Sequence, residues 1–267
     1  MSAFSAPIRF GVLSFLSFKA LSWDGVGNYV WGNLARPVFF VTMFALAGRF
    51  AGNPSAAEAY IVGMVASAHP ATIMGGVLAM FTIERNFAIL PILFATSGSR
   101  FVMIWSRGLI HMGSGWVSVA VSLFFAAVVL KLDLSRLDWI TLLVATAVIG
   151  FSSTAFALCA GNFALILRQW TDLRTLLEGS VVAFTGAVIP LAALPGAVAA
   201  VGHVLPLTAG LVAFRAAFQG DPVEAVTMPL AQEAAIGIVY AVLGALLFLA
   251  IERQAKRMGS LDWEARA

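Results

Sequence analysis

The sequence predicts an all-α membrane protein with six transmembrane helices. Three observations lead there. Stretches 59–83, 108–130, 139–167, 179–214 and 234–251 contain no Lys, Arg, Asp or Glu. Of the 267 residues, 61% are hydrophobic and 11% charged, whereas soluble domains carry about 25% charged residues. A helix crosses the hydrocarbon core of a bilayer with about 20 apolar residues. The run 179–214 is the anomaly, too long for one crossing and too short for two.

The elements follow in order. Residues 8–23 carry Phe10, Val12, Leu13, Phe15, Leu16, Phe18 and Leu21, with Arg9 and Lys19 towards the ends. This run is short for a crossing, and we read it as an amphipathic helix lying in the membrane interface. Span 1 covers 31–48, with Arg36 and Pro37 near its start. Gly52, Asn53, Pro54 and Ser55 signal a turn. Span 2 covers 59–81, and a polar-punctuated stretch, 84–100, follows it. Span 3 covers 109–130, and the charged break 131–138 separates it from span 4, 139–161. A second break holds Arg168, Asp172, Arg174 and Glu178. Span 5 covers 179–194 and stops at Pro190 and Pro195. Span 6 covers 228–251 and leads into a charged tail. All belong to one transmembrane domain, 1–267.

Six spans put both termini on one side, and the positive-inside rule chooses it. With the termini inside, inner segments hold 12 of the 16 basic residues, and Arg49, Lys131, Arg136 and Arg215 are the outer 4. Both termini are therefore expected in the cytoplasm. Trp139 falls at the outer interface, and Trp23, Tyr29, Trp31, Trp105 and Trp170 fall near the inner one, as aromatic belts require.

The remainder of 179–214 is explained if the chain, having reached the outside, dips back and returns as two half-helices broken at Pro195 and Pro206. Irregular backbone survives at membrane depth only where protein covers it or water reaches it. These re-entrant half-helices between spans 5 and 6 should therefore line or cap a pathway. The other reading is an apolar loop on the outer surface.

Several chemistries lack their residues. There is no GxxxxGK[ST] phosphate loop and no HExxH zinc motif. His69, His111 and His203 are far apart in sequence and read as packing or pathway residues. Cys159 is the only cysteine, which excludes an intrachain disulfide. Ser114 and Ser153 have no base at a motif spacing. A retinal Schiff base needs a lysine deep in the last helix, and the lysines are Lys19, Lys131 and Lys256. No cleavable signal peptide is expected. The net charge of +3 is spread over loops and does not suggest nucleic acid as a partner. We expect no enzyme activity, no bound metal and no cofactor in this chain.

The stretch ERNFAILPILFATSGSR, 84–100, begins with Glu84 and Arg85. It continues with Phe87, Ile89, Leu90, Ile92, Leu93 and Phe94 and ends in Thr96, Ser97, Gly98, Ser99 and Arg100. That is the pattern of a short amphipathic helix held at the cytoplasmic surface. Such a helix suits a groove on a soluble partner, or it contacts lipid alone.

This stretch resembles the ER-x-x-G-T-L-E-x-L-L-x-T-P-x-S-R loop of the ABC-2 type permeases, the membrane subunits of ABC exporters. Glu84, Arg85, Leu90, Leu93, Thr96, Ser99 and Arg100 match. Ala88, Ile89, Pro91, Phe94 and Ser97 stand where that pattern has Gly, Thr, Glu, Leu and Pro. A second stretch, 185–217, is similar to the family's Gly, Pro, Leu-Pro and Leu-Pro-Leu/Thr pattern ending in Arg. Here Gly186, Pro190, Leu194, Pro195, Leu205, Pro206, Leu207, Thr208 and Arg215 match.

The resemblance implies two permease chains, identical or different, around a central pathway in the inner or plasma membrane. It also implies separate ABC ATPase subunits, which bind ATP and Mg. Glu84, Arg85, Phe87, Leu90, Leu93, Phe94 and Arg100 would couple to the ATPase. Gly186, Pro190, Pro195, Pro206 and Arg215 would form the outer gate. ATP-driven closure of the ATPase pair would move the docked helices and switch the pathway between two states.

Phe40, Phe44 and Phe184 are candidates for an apolar pathway wall, although a Phe stripe also packs or faces lipid. Arg36 is expected to snorkel to the inner interface and Glu178 to complement the start of span 5. Arg215 is expected to pair with Asp221 or Glu233. The scarcity of polar residues in the spans favours a hydrophobic or amphipathic substrate, such as a drug, antibiotic or lipid conjugate. Glycan-lipid export ranks second, because the resemblance implies a tryptophan- and arginine-rich segment before span 1 in such exporters, and 21–33 lacks that basic character. An ion-driven secondary transporter would need intramembrane carboxylates, for which Glu178 and Glu233 are the deepest candidates. A lipid-modifying enzyme would need a surface cluster of Asp or His. Asp133 and Asp138 share a loop without His.

Overall fold

The computed structural model describes residues 27, 30–50, 52, 54–86, 100–165, 167 and 170–258. All regular structure among them is helical. A π-helical turn, Trp31–Ala35, runs into α1, Arg36–Phe50. Then come α2, Pro54–Asn86, α3, Arg100–Val128, and α4, Trp139–Gly161. A 3-10 turn, Asn162–Leu165, precedes α5, Trp170–Phe184. Another, Leu191–Ala193, precedes α6, Gly196–Val204, and α7, Thr208–Gln219. A last one, Val223–Val226, leads into α8, Thr227–Met258.

Among the described residues, four helices are long and apolar enough to cross a bilayer: Ala57–Thr82, Gly108–Val128, Trp139–Ala164 and Val223–Ile251. The pair α6 and α7, bent by 81° at its break, makes a fifth if taken as one span. With 15 residues each, α1 and α5 are shorter than the expected spans.

Side-chain contacts fix the helix directions. His69 of α2 packs where a Cβ on Gly115 of α3 would lie, and His111 of α3 does the same to Gly76 of α2, so α2 and α3 are antiparallel. His69 also fills the place of a Cβ on Gly150, and Phe81 that on Gly161, so α2 and α4 are parallel. A Cβ on Gly237 would meet Phe151, and one on Gly244 would meet Cys159, so α8 runs parallel to α4. Trp170 Nε1 donates to Thr82 Oγ1 at 3.1 Å and Arg174 Nη2 to the Gly75 carbonyl at 3.3 Å, which sets α5 antiparallel to α2. These glycines let helix backbones approach closely, as small residues do between membrane helices.

The interior is built on α2 and α4. Val65, Ile73, Met74, Val77 and Leu78 of α2 are fully buried, with Ala145 and Ile149 of α4. A hydroxyl chain links the first turn to this core. Thr72 Oγ1 donates to Ser118 Oγ at 2.8 Å, and Ser118 Oγ donates to the Asn33 carbonyl at 3.0 Å. Helix α4 matches the expected 139–161 because its start is capped. Asp138 accepts from the Thr141 N–H at 2.7 Å, and that bond holds its carboxyl below the usual carboxylate range.

Two expectations are corrected. Helix α5 begins nine residues before 179 and ends at Phe184, so Asp172, Arg174 and Glu178 lie within it rather than in a break. The charges do not stop the helix because Arg174 and Glu178 pair across one turn, at 2.8 Å. Trp170 is no interfacial belt residue. It is 2% exposed and bonded to Thr82. Trp139 and Trp31, at 54% and 64% exposed, do face outwards. The expected interfacial helix, 8–23, lies outside the described residues.

Candidate functional site

Two features stand beside each other. The first is a cleft of about 510 Å³ between α1, α2, α5 and the segment after α5. Its apolar wall includes Phe40, Phe44, Met64, Val182, Val188 and Ile189. Arg36 and Glu178 also line it. Glu178 Oε1 accepts from Arg174 Nε at 2.8 Å, and Glu178 Oε2 lies 3.8 Å from Arg36 Nη2. Thus Glu178 does not complement a helix start. It sits in the third turn of α5 between two arginines, one bonded closely and the other loosely. Arg36, expected to snorkel, is turned towards that carboxylate.

The second feature is the bent pair α6 and α7. Gly186 has φ +87°, which a side chain would strain, and there the chain leaves α5. Pro190 and Pro195 flank the 3-10 turn, and Pro195 caps α6. Proline suits these places because it lacks the N–H that a helix start leaves unpaired. The break between the two helices is Leu205, Pro206 and Leu207, with Leu207 at φ +86°.

The depth of this break follows from α4. Helix α7 lies antiparallel to the first half of α4. At one end, the Asp138 N–H donates to the Ala217 carbonyl at 2.9 Å and Thr141 Oγ1 to the Asp221 carbonyl at 3.0 Å. At the other end a Cβ on Gly210 would press into Ile149. Ile149 lies about 15 Å along the axis from Trp139, near the middle of α4. The break therefore lies near mid-height in the bundle.

Helix α8 serves both ends of the break. Glu233 is fully buried. Its Oε1 accepts from the Leu207 N–H at 2.7 Å and its Oε2 from the Gly210 N–H at 2.9 Å, and the Ser152 hydroxyl lies against Oε1 at hydrogen-bond distance. Two turns on, Tyr240 donates its hydroxyl to the Val204 carbonyl at 3.0 Å. An acceptor thus meets the N-terminus of α7 and a donor the C-terminus of α6, as the orphaned groups and dipoles of helix ends require.

The sequence candidates are distributed as follows. Phe40 and Phe44 line the cleft. Phe184 does not. It ends α5, and its carbonyl fills the space of a Cβ on Gly202. Gly186, Pro190, Pro195 and Pro206 all mark bends or breaks around α6. Arg215 pairs with neither Asp221 nor Glu233. Its Nη2 donates to the Gly186 and Ala187 carbonyls at 2.9 and 3.3 Å, tying α7 to the exit of α5. Those carbonyls are left free by the bend at Gly186, whereas Glu233 is already occupied by N–H and O–H donors. Glu84 and Arg85 are in the last turn of α2, and Arg100 is the first residue of α3. Phe87, Leu90, Leu93 and Phe94 lie outside the described residues. Sequence reasoning missed Ser152 and Tyr240. The seven-residue spacing of Glu233 and Tyr240, on one face of the last apolar helix, was the available signal.

No protein-family model matches the chain, and no curated protein matches it.

Proposed function

We propose that this chain is the permease subunit of an ATP-driven exporter of the ABC-2 type, forming the pathway for a hydrophobic or amphipathic substrate. The observation that carries the reading is the helix pair bent at mid-height beside an apolar cleft. Val188 and Ile189 belong to both, since they line the cleft and lead into the pair. A pathway and a movable plug are thereby joined through one short segment. The directions of α2 to α5 and of α8 fit six crossings, and the uneven split of basic residues favours both termini in the cytoplasm of a cell's inner or plasma membrane. Separate ATPase subunits would dock at 84–100, and a second permease chain would complete the pathway.

The test is co-purification of the tagged chain with ATPases encoded beside it, with and without Leu90→Asp. A complex with ATP hydrolysis, lost in the variant, is the expected result. A chain that binds no ATPase sinks the reading.

Glu233 favours a second reading, an ion-driven secondary transporter, because buried carboxylates at mid-depth are what ion coupling uses. Substrate accumulation that follows an imposed pH gradient in vesicles lacking ATP would select it.

A further inference from the structure

Glu233 is the least exposed charged-type side chain among the described residues. Leu207 and Gly210 present N–H groups that can donate and never accept. Ser152 is different. Its hydroxyl oxygen lies within reach of both the Ile149 carbonyl, at 3.0 Å, and Glu233 Oε1. A hydroxyl has one hydrogen and two acceptor positions. With Glu233 ionised, Ser152 donates to the carboxylate. With Glu233 protonated, the new O–H donates to Ser152, which turns its own hydrogen to the Ile149 carbonyl. Both states leave the pair satisfied, so a proton can be held here without an orphaned buried group.

The two states differ in how firmly they hold α7. An ionised carboxylate makes charge-assisted bonds to the backbone N–H groups, roughly twice as strong as neutral ones. Protonation removes that charge from the N-terminus of α7, where it interacts best with the helix dipole. Leu207, the first donor, sits at a backbone angle that a leucine rarely adopts, so this segment depends on its neighbours to keep its shape.

We propose that Glu233 and Ser152 form a proton-binding site that latches the bent pair into the bundle. Ionised Glu233 holds the pair docked, and proton uptake loosens it. Other titratable side chains on the surrounding helices have their own places. Arg215 of α7 bonds Gly186 and Ala187, and Tyr240 of α8 bonds Val204. Cys159 of α4 packs on Gly244, and His69 of α2 sits between Gly115 and Gly150. His203 of α6 is exposed. The inference rests on the reading of α6 and α7 as a movable gate, and not on coupling to an ATPase.

The experiment therefore uses the full chain alone in lipid nanodiscs. On a Cys159→Ala background, Ala213→Cys reports on α7 and Val65→Cys on the static core, since both positions are fully buried. The modification rate by a soluble maleimide is taken at each pH as the ratio of Glu233→Gln to wild type, which cancels the thiol chemistry. At Ala213→Cys the expected ratio is roughly tenfold near pH 8 and falls towards one near pH 5, with no change at Val65→Cys. A ratio that is flat with pH, or that rises equally at Val65→Cys, overturns the proposal. Should Glu233→Gln fail to fold, Ser152→Ala serves. It should shift the pH at which Ala213→Cys becomes reactive relative to Val65→Cys, and an unshifted profile overturns the proposal equally.

Discussion

Glu178 and Glu233 are two carboxylates in one apolar chain, and they are kept in opposite ways. Glu178, in the wall of the cleft, has Arg174 at 2.8 Å and Arg36 at 3.8 Å. Glu233, at mid-height, accepts from the backbone N–H groups of Leu207 and Gly210. The arginines that hold Glu178 are 27% and 39% exposed, so its counter-charges themselves reach solvent. Glu233 is fully buried, and burying a charge demands fixed partners. A broken helix supplies such donors without adding a second charge. The break in the helix and the buried carboxylate need each other.

The largest expected effect comes from removing that mutual support. Glu233→Leu leaves the Leu207 and Gly210 N–H groups buried without an acceptor and should cost about 2–6 kcal/mol, read as loss of folded protein in a denaturant titration in mild detergent. If it costs no more than Glu178→Leu, the two carboxylates are equivalent and the comparison fails. Next comes Gly115→Leu, which drives a side chain into His69 at the α2–α3 contact. About 1–3 kcal/mol should be lost, and Gly113→Leu, with open space around its Cβ position, should be nearly neutral in the same titration.

In the cleft wall, where its side chain is 14% exposed, Glu178→Gln removes the charge but leaves Arg174 an acceptor and should cost about 1–2 kcal/mol. A double-mutant cycle should give a larger coupling for Arg174 with Glu178 than for Arg36 with Glu178, as their distances require. Equal couplings would mean that Arg36 closes on the carboxylate in solution. The smallest effect belongs to Asp138. Its carboxyl is held below the usual range by the Thr141 N–H, so its contribution is present above about pH 4 and fades as the pH falls below that. Wild type and Asp138→Ala should therefore differ slightly in thermal midpoint at neutral pH and converge in acid.

Burial sharpens the same contrast across the helices. Over an apolar 18-residue stretch α2 is 78% buried, against 11% over the corresponding stretch of α8. Ile238, Val242 and Leu246 of α8 are more than half exposed, as lipid-facing side chains are. Glu233 and Tyr240 lie on this same helix and are turned inwards to the break. An apolar helix can thus be outward-facing over most of its surface and still carry the polar groups that matter.

The helical class, the span 139–161 and the breaks at Pro195 and Pro206 were legible in the amino acids alone, whereas α5 ends at Phe184, ahead of the expected stop at Pro190. Absence of charge, a capping Asp138 and proline's missing N–H are local properties that need no partner. The sequence alone misjudged α5, because a charged stretch reads as an exposed break until its counter-charges are known. Arg174 pairs within the helix, but the Gly75 carbonyl and Arg36 come from elsewhere in the chain. It also mispaired Arg215, since opposite charge is visible in sequence and the two free carbonyls beyond Gly186 are not. The tertiary structure alone decided that Glu233 reaches Leu207 and Gly210, that Ser152 completes the set, and that Phe40 and Phe44, but not Phe184, face the cleft. Those outcomes depend on which helix faces approach one another, and the glycines that permit the approach carry no side chain to announce it.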